Sequence, residues 1–180
     1  MSVIRTAVPA DVPEILTMIH DLAIYEGEPD AVKTTPQMLH ESLFGESPRI
    51  FAHIAEDSYG VQGFALWFLN YSTWEGVHGI YLEDLYVRPE ARGAGYGKAL
   101  LRVLARTAVE RGYARVEWAV LNWNEPSINF YKSLSAVPQD EWTTFRLAGD
   151  ALSGFGGPAA SGAATGRATG TASGTGGATR

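Results

Sequence analysis

Cysteine is absent from the 180 residues. That excludes disulfide scaffolds, thiolate zinc sites and cysteine-bound acyl intermediates, and with no sign of an oxidising compartment a cytoplasmic protein is the expectation. Positive charge is scarce as well: 14 Lys plus Arg stand against 20 Asp plus Glu, a formal charge of −6. Nucleic-acid binding by counterion release needs a basic face, so no nucleic-acid partner is expected and a small or cationic one is favoured. Long apolar runs are missing too. The longest, Gly63–Leu69, reaches about half of a membrane span, and MSVIRTAVPAD lacks a signal-peptide core, so the chain reads as soluble, not secreted and without a membrane partner. His20, His40, His53 and His78 are scattered without ligand spacing, and no metal is expected.

What is present falls into two parts. Residues 153–180 hold only Gly, Ala, Ser and Thr apart from Arg167, Arg180, Pro158 and Phe155, which predicts a disordered tail. Residues 1–152 have the size of one ordinary domain with one core. Their periodicities alternate: strand over 2–6, helix over about 11–23, a second helix from Thr35-Pro36 to Phe44, and a hairpin of 50–55 with 63–71. A strand over 80–87, a helix from about Gly97 to Arg111 closed by Gly112, a strand over 115–120, a helix over 124–133 and a strand over 142–147 follow. The order βααβββαβαβ predicts a mixed α/β fold, a twisted mixed sheet with helices on both faces.

Between the strand ending at Val87 and the next helix runs Arg88–Lys98, R-P-E-A-R-G-A-G-Y-G-K. Gly93, Gly95 and Gly97 leave the main chain bare, and the free amides of the following helix face the same spot, which makes an anion site; a simple connecting turn is the plainer alternative. A Walker A loop is ruled out by Arg92 and Ala99 where glycine and Ser/Thr belong, and the spacing of G-x-G-x-x-G is not met.

R-G-A-G-Y-G resembles the acetyl-CoA pyrophosphate loop, R/Q-x-x-G-x-G/A, of the GNAT acetyltransferases. Y-L-E-D-L-Y-V (Tyr81–Val87) and W-N-E-P-S-I-N-F-Y-K (Trp123–Lys132) resemble signature segments of the diamine (spermidine/spermine) and thialysine acetyltransferases, the likeness running from about Val3 to Leu147. The resemblance implies the GNAT fold, acetyl-CoA as cosubstrate, a homodimer, and transfer to the primary amine of a small cation, a di- or polyamine or a lysine-like amino acid such as thialysine, by direct attack in a ternary complex. Acetylation of protein amines, or a catalytically silent CoA-binding module, are the alternatives.

It also assigns residues. The amides of Gly93, Ala94, Gly95, Tyr96, Gly97 and Lys98 would hold the pyrophosphate with Arg92 beside them, and Leu85, Tyr86 and Val87 would line the pantetheine arm, which Asn124 and Ser127 also reach. An alkyl ammonium titrates near ~10.4, so about one in ~1,000 is neutral near pH 7.4 and a base is needed. The family's matching glutamate makes Glu83 that base; Asp84, next along the strand, points to the opposite face unless a bulge intervenes. Tyr131 matches the family's acid, and Asn124, Ser127 and Tyr131 share one helix face at i, i+3, i+7. Tyr25, Glu26, Trp74 and Asp84 are the substrate-side candidates; Trp74 could equally be a core or dimer-interface aromatic, and Glu28 and Asp30 a solvated acidic turn. The family's Y-K-x-x-G is Y-K-S-L-S here, so Ser135 takes a glycine position and strain or a shifted helix end is expected.

Overall fold

The structure, a computed structural model, describes residues 3–157; Ser2 and residues 158–180 of the predicted tail lie outside the described residues. The chain divides into a unit of Met1–Ser135 and a second of Ala136–Arg180. In the first unit β1 (Val3–Thr6), α1 (Val12–Tyr25), α2 (Pro36–Phe44), β2 (Phe51–Asp57), β3 (Gly60–Ser72), β4 (Val77–Val87), α3 (Tyr96–Glu110), β5 (Val116–Glu117) and α4 (Glu125–Ser133) follow one another. The five strands lie in chain order, antiparallel except for the parallel pair of β4 and β5. That is the mixed α/β sheet the alternating periodicities predict.

Helix α2 begins where the local chemistry says it should. The Thr35 hydroxyl accepts the Met38 amide at 3.2 Å with Pro36 in the first turn of α2, so one orphan donor is satisfied and the missing proline N–H costs nothing. Gly112, at φ +67°, closes α3 in the left-handed region. The apolar stripe of α1 buries Ile15 and Met18 with Leu39 and Leu43 of α2 against Ile54, Phe64 and Leu66. On the other face Leu100, Leu101, Leu104 and Ala108 of α3 cover Ala65, Trp67, Ile80 and Leu82. A fully buried side chain of this kind contributes roughly 1.5–3 kcal/mol, so the two layers together clamp β3 and β4. Among the described residues no helix is long and apolar enough to cross a membrane.

Three expectations need correction. Pairing in β5 is confined to Val116 and Glu117, not 115–120. No strand forms over 142–147: Trp142 and Phe145 are exposed and the segment joins no ladder among the described residues, because alternation alone cannot make a strand without a neighbour to bond. Residues 153–156, read as disordered, belong to a helix, α5 (Gly149–Gly156), whose Leu152 and Phe155 were outweighed by the Gly/Ala/Ser/Thr composition that follows.

Ser135 closes the first unit at φ +66°, the one non-glycine residue with positive φ among those described. The strain expected at that position is therefore present. Ser135→Gly is expected to raise stability by roughly 0.5–1 kcal/mol, read as a higher urea midpoint at unchanged slope.

Candidate active site

The site is organised by an irregularity in β4. Leu66 of β3 pairs with Asp84 and the next residue, Trp67, with Leu82, so Glu83 is an extra residue without a partner. This bulge reverses the alternation: Ile80 and Leu82 pack with α3, whereas Tyr86 packs with α1 and α2. It also brings Glu83 and Asp84 to one cavity of about 560 Å³, where a regular strand would have sent them to opposite faces. Leu66 and Phe68 of β3 complete the sheet side of that cavity, and α1 and α2 form the other.

Electrostatics then separates the acids. Asp84 is largely buried, and burial first, then repulsion from Glu83 and Glu26, pushes its carboxyl up to about 6. Glu83 is exposed. Glu26, directly after α1, is itself raised by burial, and its charge acts on Tyr131 as well as on Asp84. Burial foremost and Glu26 second raise the Tyr131 phenol, which keeps its proton at neutral pH. Its ring is held 5.0 Å from Trp118 and 5.4 Å from Phe130.

The glycine loop has the geometry of an anion cradle. Gly93 and Gly95 sit at φ +82° and +88°, with nothing within 4 Å of where a Cβ would stand. Gly95 caps α3, and Ala99 is the first amide to bond back, to Gly95 O at 3.0 Å, so the amides of Tyr96, Gly97 and Lys98 are the helix's free donors. Gly97 is different: it is ordinary helix, and a Cβ there would meet Phe130 at a comfortable 3.8 Å. Tyr96 turns its side chain inward and donates its hydroxyl to Asp57 at 2.6 Å, leaving its main chain to the loop. Beside the loop, the pairing of β4 with β5 stops at Tyr81 and Glu117, so among the described residues Leu82–Val87 have no strand partner on that side.

Arg92 is packed rather than extended. Its Nε donates to Val87 O at 3.1 Å and its guanidinium lies 5.3 Å from the Tyr25 ring centroid and 5.8 Å from that of Tyr86. Tyr25 in turn donates its hydroxyl to Asn124 Oδ1 at 3.2 Å and meets Trp123 at 5.8 Å. The end of α1, the glycine loop and the start of α4 are thereby joined through one aromatic residue. Asn124 stands one position outside the helix predicted from it. It is the N-cap, its Oδ1 accepting the Ser127 amide at 3.3 Å, a role signalled by N-E-P-S but missed in reading the sequence.

Not every candidate gathers here. Trp74 lies in the β3–β4 turn, 88% exposed and away from the cavity, and Glu28 and Asp30 are exposed. Conversely the cavity's far wall, Ile19, Met38, Leu39 and Ile50, was not foreseen, since an apolar stripe looks the same in sequence whether it faces a core or a cavity.

Bared main-chain amides on one side of β4, with acids and a protonated phenol in the same domain, suit the chemistry of an acyl-transfer enzyme. The acetyltransferase (GNAT) family matches residues 15–135, and the chain belongs to it. It is an amine N-acetyltransferase. Thialysine N-epsilon-acetyltransferases from Bos taurus and Caenorhabditis elegans are 38% and 35% identical to it, over 83% and 84% of this chain and 94% and 95% of theirs. An L-ornithine N5-acetyltransferase of Arabidopsis thaliana is 32% identical over 83% of this chain and 85% of its own. The solved structure of an integron cassette protein from the mobile metagenome of V. cholerae shares the fold with a TM-score of 0.74 at 24% identity, covering 87% of this chain and 98% of that one.

Proposed function

We propose that this enzyme moves the acetyl group of acetyl-CoA to the primary amine of a small cation, within the class of di- and polyamines and lysine-like amino acids such as thialysine, in a ternary complex. The observation that carries the reading is the β4 bulge, which brings two adjacent carboxylates to one cavity and buries one of them, Asp84, so that its carboxyl is pushed up to about 6. The open space over Gly93 and Gly95 and the free amides of Tyr96, Gly97 and Lys98 fit a diphosphate, and the unpaired edge of Leu82–Val87 fits an extended arm. Acetyl-CoA supplies the activated thioester when bound.

The rest is the work of side chains. Asp84 and Glu83 draw the ammonium into the cavity, and in place of Glu83, the base the resemblance implies, Asp84, its carboxyl pushed up to about 6 by burial, takes the proton, with Glu83 exposed beside it. Tyr131 holds its proton for the departing sulfur. The proposal extends to a homodimer working in the cytoplasm, supported by the resemblance and the absence of cysteine.

The test is thiol release from acetyl-CoA with thialysine, lysine, ornithine, putrescine and spermidine in parallel, with coenzyme A binding followed by calorimetry. Turnover of at least one amine is expected; coenzyme A binding without any turnover would leave a silent module. Gly95→Val, forced from φ +88°, is expected to weaken coenzyme A binding by about 10-fold or more.

A further inference from the structure

The free amides of Tyr96, Gly97 and Lys98 open a helix that has no side-chain cap, because its N-cap is Gly95. Glycines at φ +82° and +88° lead into it, and they stiffen the approach less than other residues would. The fixing comes from the hairpin of β2 and β3. Asp57, the last residue of β2, accepts the Tyr96 hydroxyl on Oδ2 at 2.6 Å. Its Oδ1 accepts the Tyr59 amide at 2.8 Å and the Gln62 side-chain amide at 3.1 Å, so the carboxylate is itself held in place. Gln62, which is buried, serves the other end of the loop: its carbonyl accepts the Arg88 amide at 2.9 Å. Arg88 Nε also donates to Val61 O at 3.0 Å. One turn, 57–62, thus holds both the residue that enters the glycine loop and the residue that leaves it.

The acceptor in this arrangement is a strong one. The Tyr96 hydroxyl, then the Tyr59 amide, keeps the Asp57 carboxyl below its ordinary value, so near neutral pH it is charged and its bond to the phenol is charge-assisted. The Tyr96 ring packs in the same buried cluster as Leu100 and Leu101. A tyrosine side chain has two soft torsions, so pinning its hydroxyl and burying its ring leaves its main chain little freedom to turn. We propose that Asp57 is a positioning residue for the acetyl donor: by holding the Tyr96 hydroxyl it aims the first amides of α3 at the diphosphate. It acts through Tyr96 and not by contact with the donor. This rests on the acetyl-transfer reading above and adds to it a residue from outside the glycine loop.

The experiment takes wild type, Asp57→Ala, Tyr96→Phe and the double variant through calorimetry with coenzyme A, thiol release from acetyl-CoA with thialysine and spermidine, and thermal melts. Tyr96→Phe keeps the buried ring, so it answers even if losing the carboxylate that Tyr59 and Gln62 also use unfolds the hairpin. Each single variant is expected to weaken coenzyme A binding and raise KM for acetyl-CoA by about 5–10-fold, with kcat and amine KM within about twofold of wild type. The double variant is expected to be no worse than the weaker single one, since both remove the same bond. Folded variants that melt lower but bind coenzyme A as wild type does would make the bond purely structural and overturn the inference, as would additive losses in the double variant. Either result, alongside wild-type turnover, leaves acetyl transfer in place. Weakened, non-additive coenzyme A binding in an enzyme that releases no thiol would uphold the inference while refuting acetyl transfer, and a wild type that binds no coenzyme A overturns both.

Discussion

Tyr131→Phe is expected to lower kcat by about 10²–10³-fold while leaving coenzyme A affinity within about twofold of wild type. The ring makes its packing contacts with Trp118 and Phe130 through carbon, and phenylalanine keeps them. What disappears is the hydroxyl, which burial and the field of Glu26 hold protonated. The departing thiolate, whose thiol titrates near ~8.5, gathers negative charge on sulfur that a phenol donor stabilises by hydrogen bonding and then neutralises with its proton. The substitution therefore acts on the step in which charge develops on sulfur and not on the ground-state complex. Steady-state kinetics paired with calorimetry separate the two; equal loss in kcat and in coenzyme A affinity would mean that the phenol is part of the binding surface.

Asp84→Asn is expected to make the protein more stable and nearly inactive. The carboxyl, ordinarily near 3.8, stands at about 6 because burial and two neighbouring acids oppose its charge. Its folded-state pKa lies above the unfolded one, so the native state binds the proton more tightly and stability falls as pH rises from about 4 to 6. Above that window the burden is full, about 3 kcal/mol for a gap of this size. Removing the charge should raise Tm by about 5–10 °C at pH 8. The advantage should vanish near pH 4, where the wild-type carboxyl is protonated too. Over the same range kcat/KM of the wild type should rise with an acidic limb near 6, and the Asn variant should lose about 10²-fold or more and the limb with it. Thermal melts and rate profiles across pH 4–9 check both halves, and an Asn variant no more stable than wild type at pH 8 would remove the electrostatic account.

How much of this was legible in the sequence depended on what kind of signal each feature leaves. The loop Gly93–Gly97 was marked in the sequence by three glycines between a strand and a helix, a pattern that a plain connecting turn shares, and the structure places only Gly93 and Gly95 of the three at positive φ. The helices α1, α2 and α3 were readable from their stripes. The bulge at Glu83 was not, because two adjacent acids are compatible with either a regular or an interrupted strand, and the choice is made by the register against Leu66 and Trp67. Nor was the double duty of Asn124, which depends on Tyr25 arriving from a helix about a hundred positions away. The strand read over 142–147 failed for a related reason: its pattern was right but pairing is a property of two segments.

In the proposed reading the loop would grip a diphosphate through peptide groups, while discrimination among amines would fall to side chains borne by α1 and α2 on the opposite layer of the sheet. Evolution can thus rewrite the clientele without disturbing the donor's seat. An engineer has the same liberty: a library confined to the inner face of α2 should scan acceptor chemistries while every member still loads its thioester.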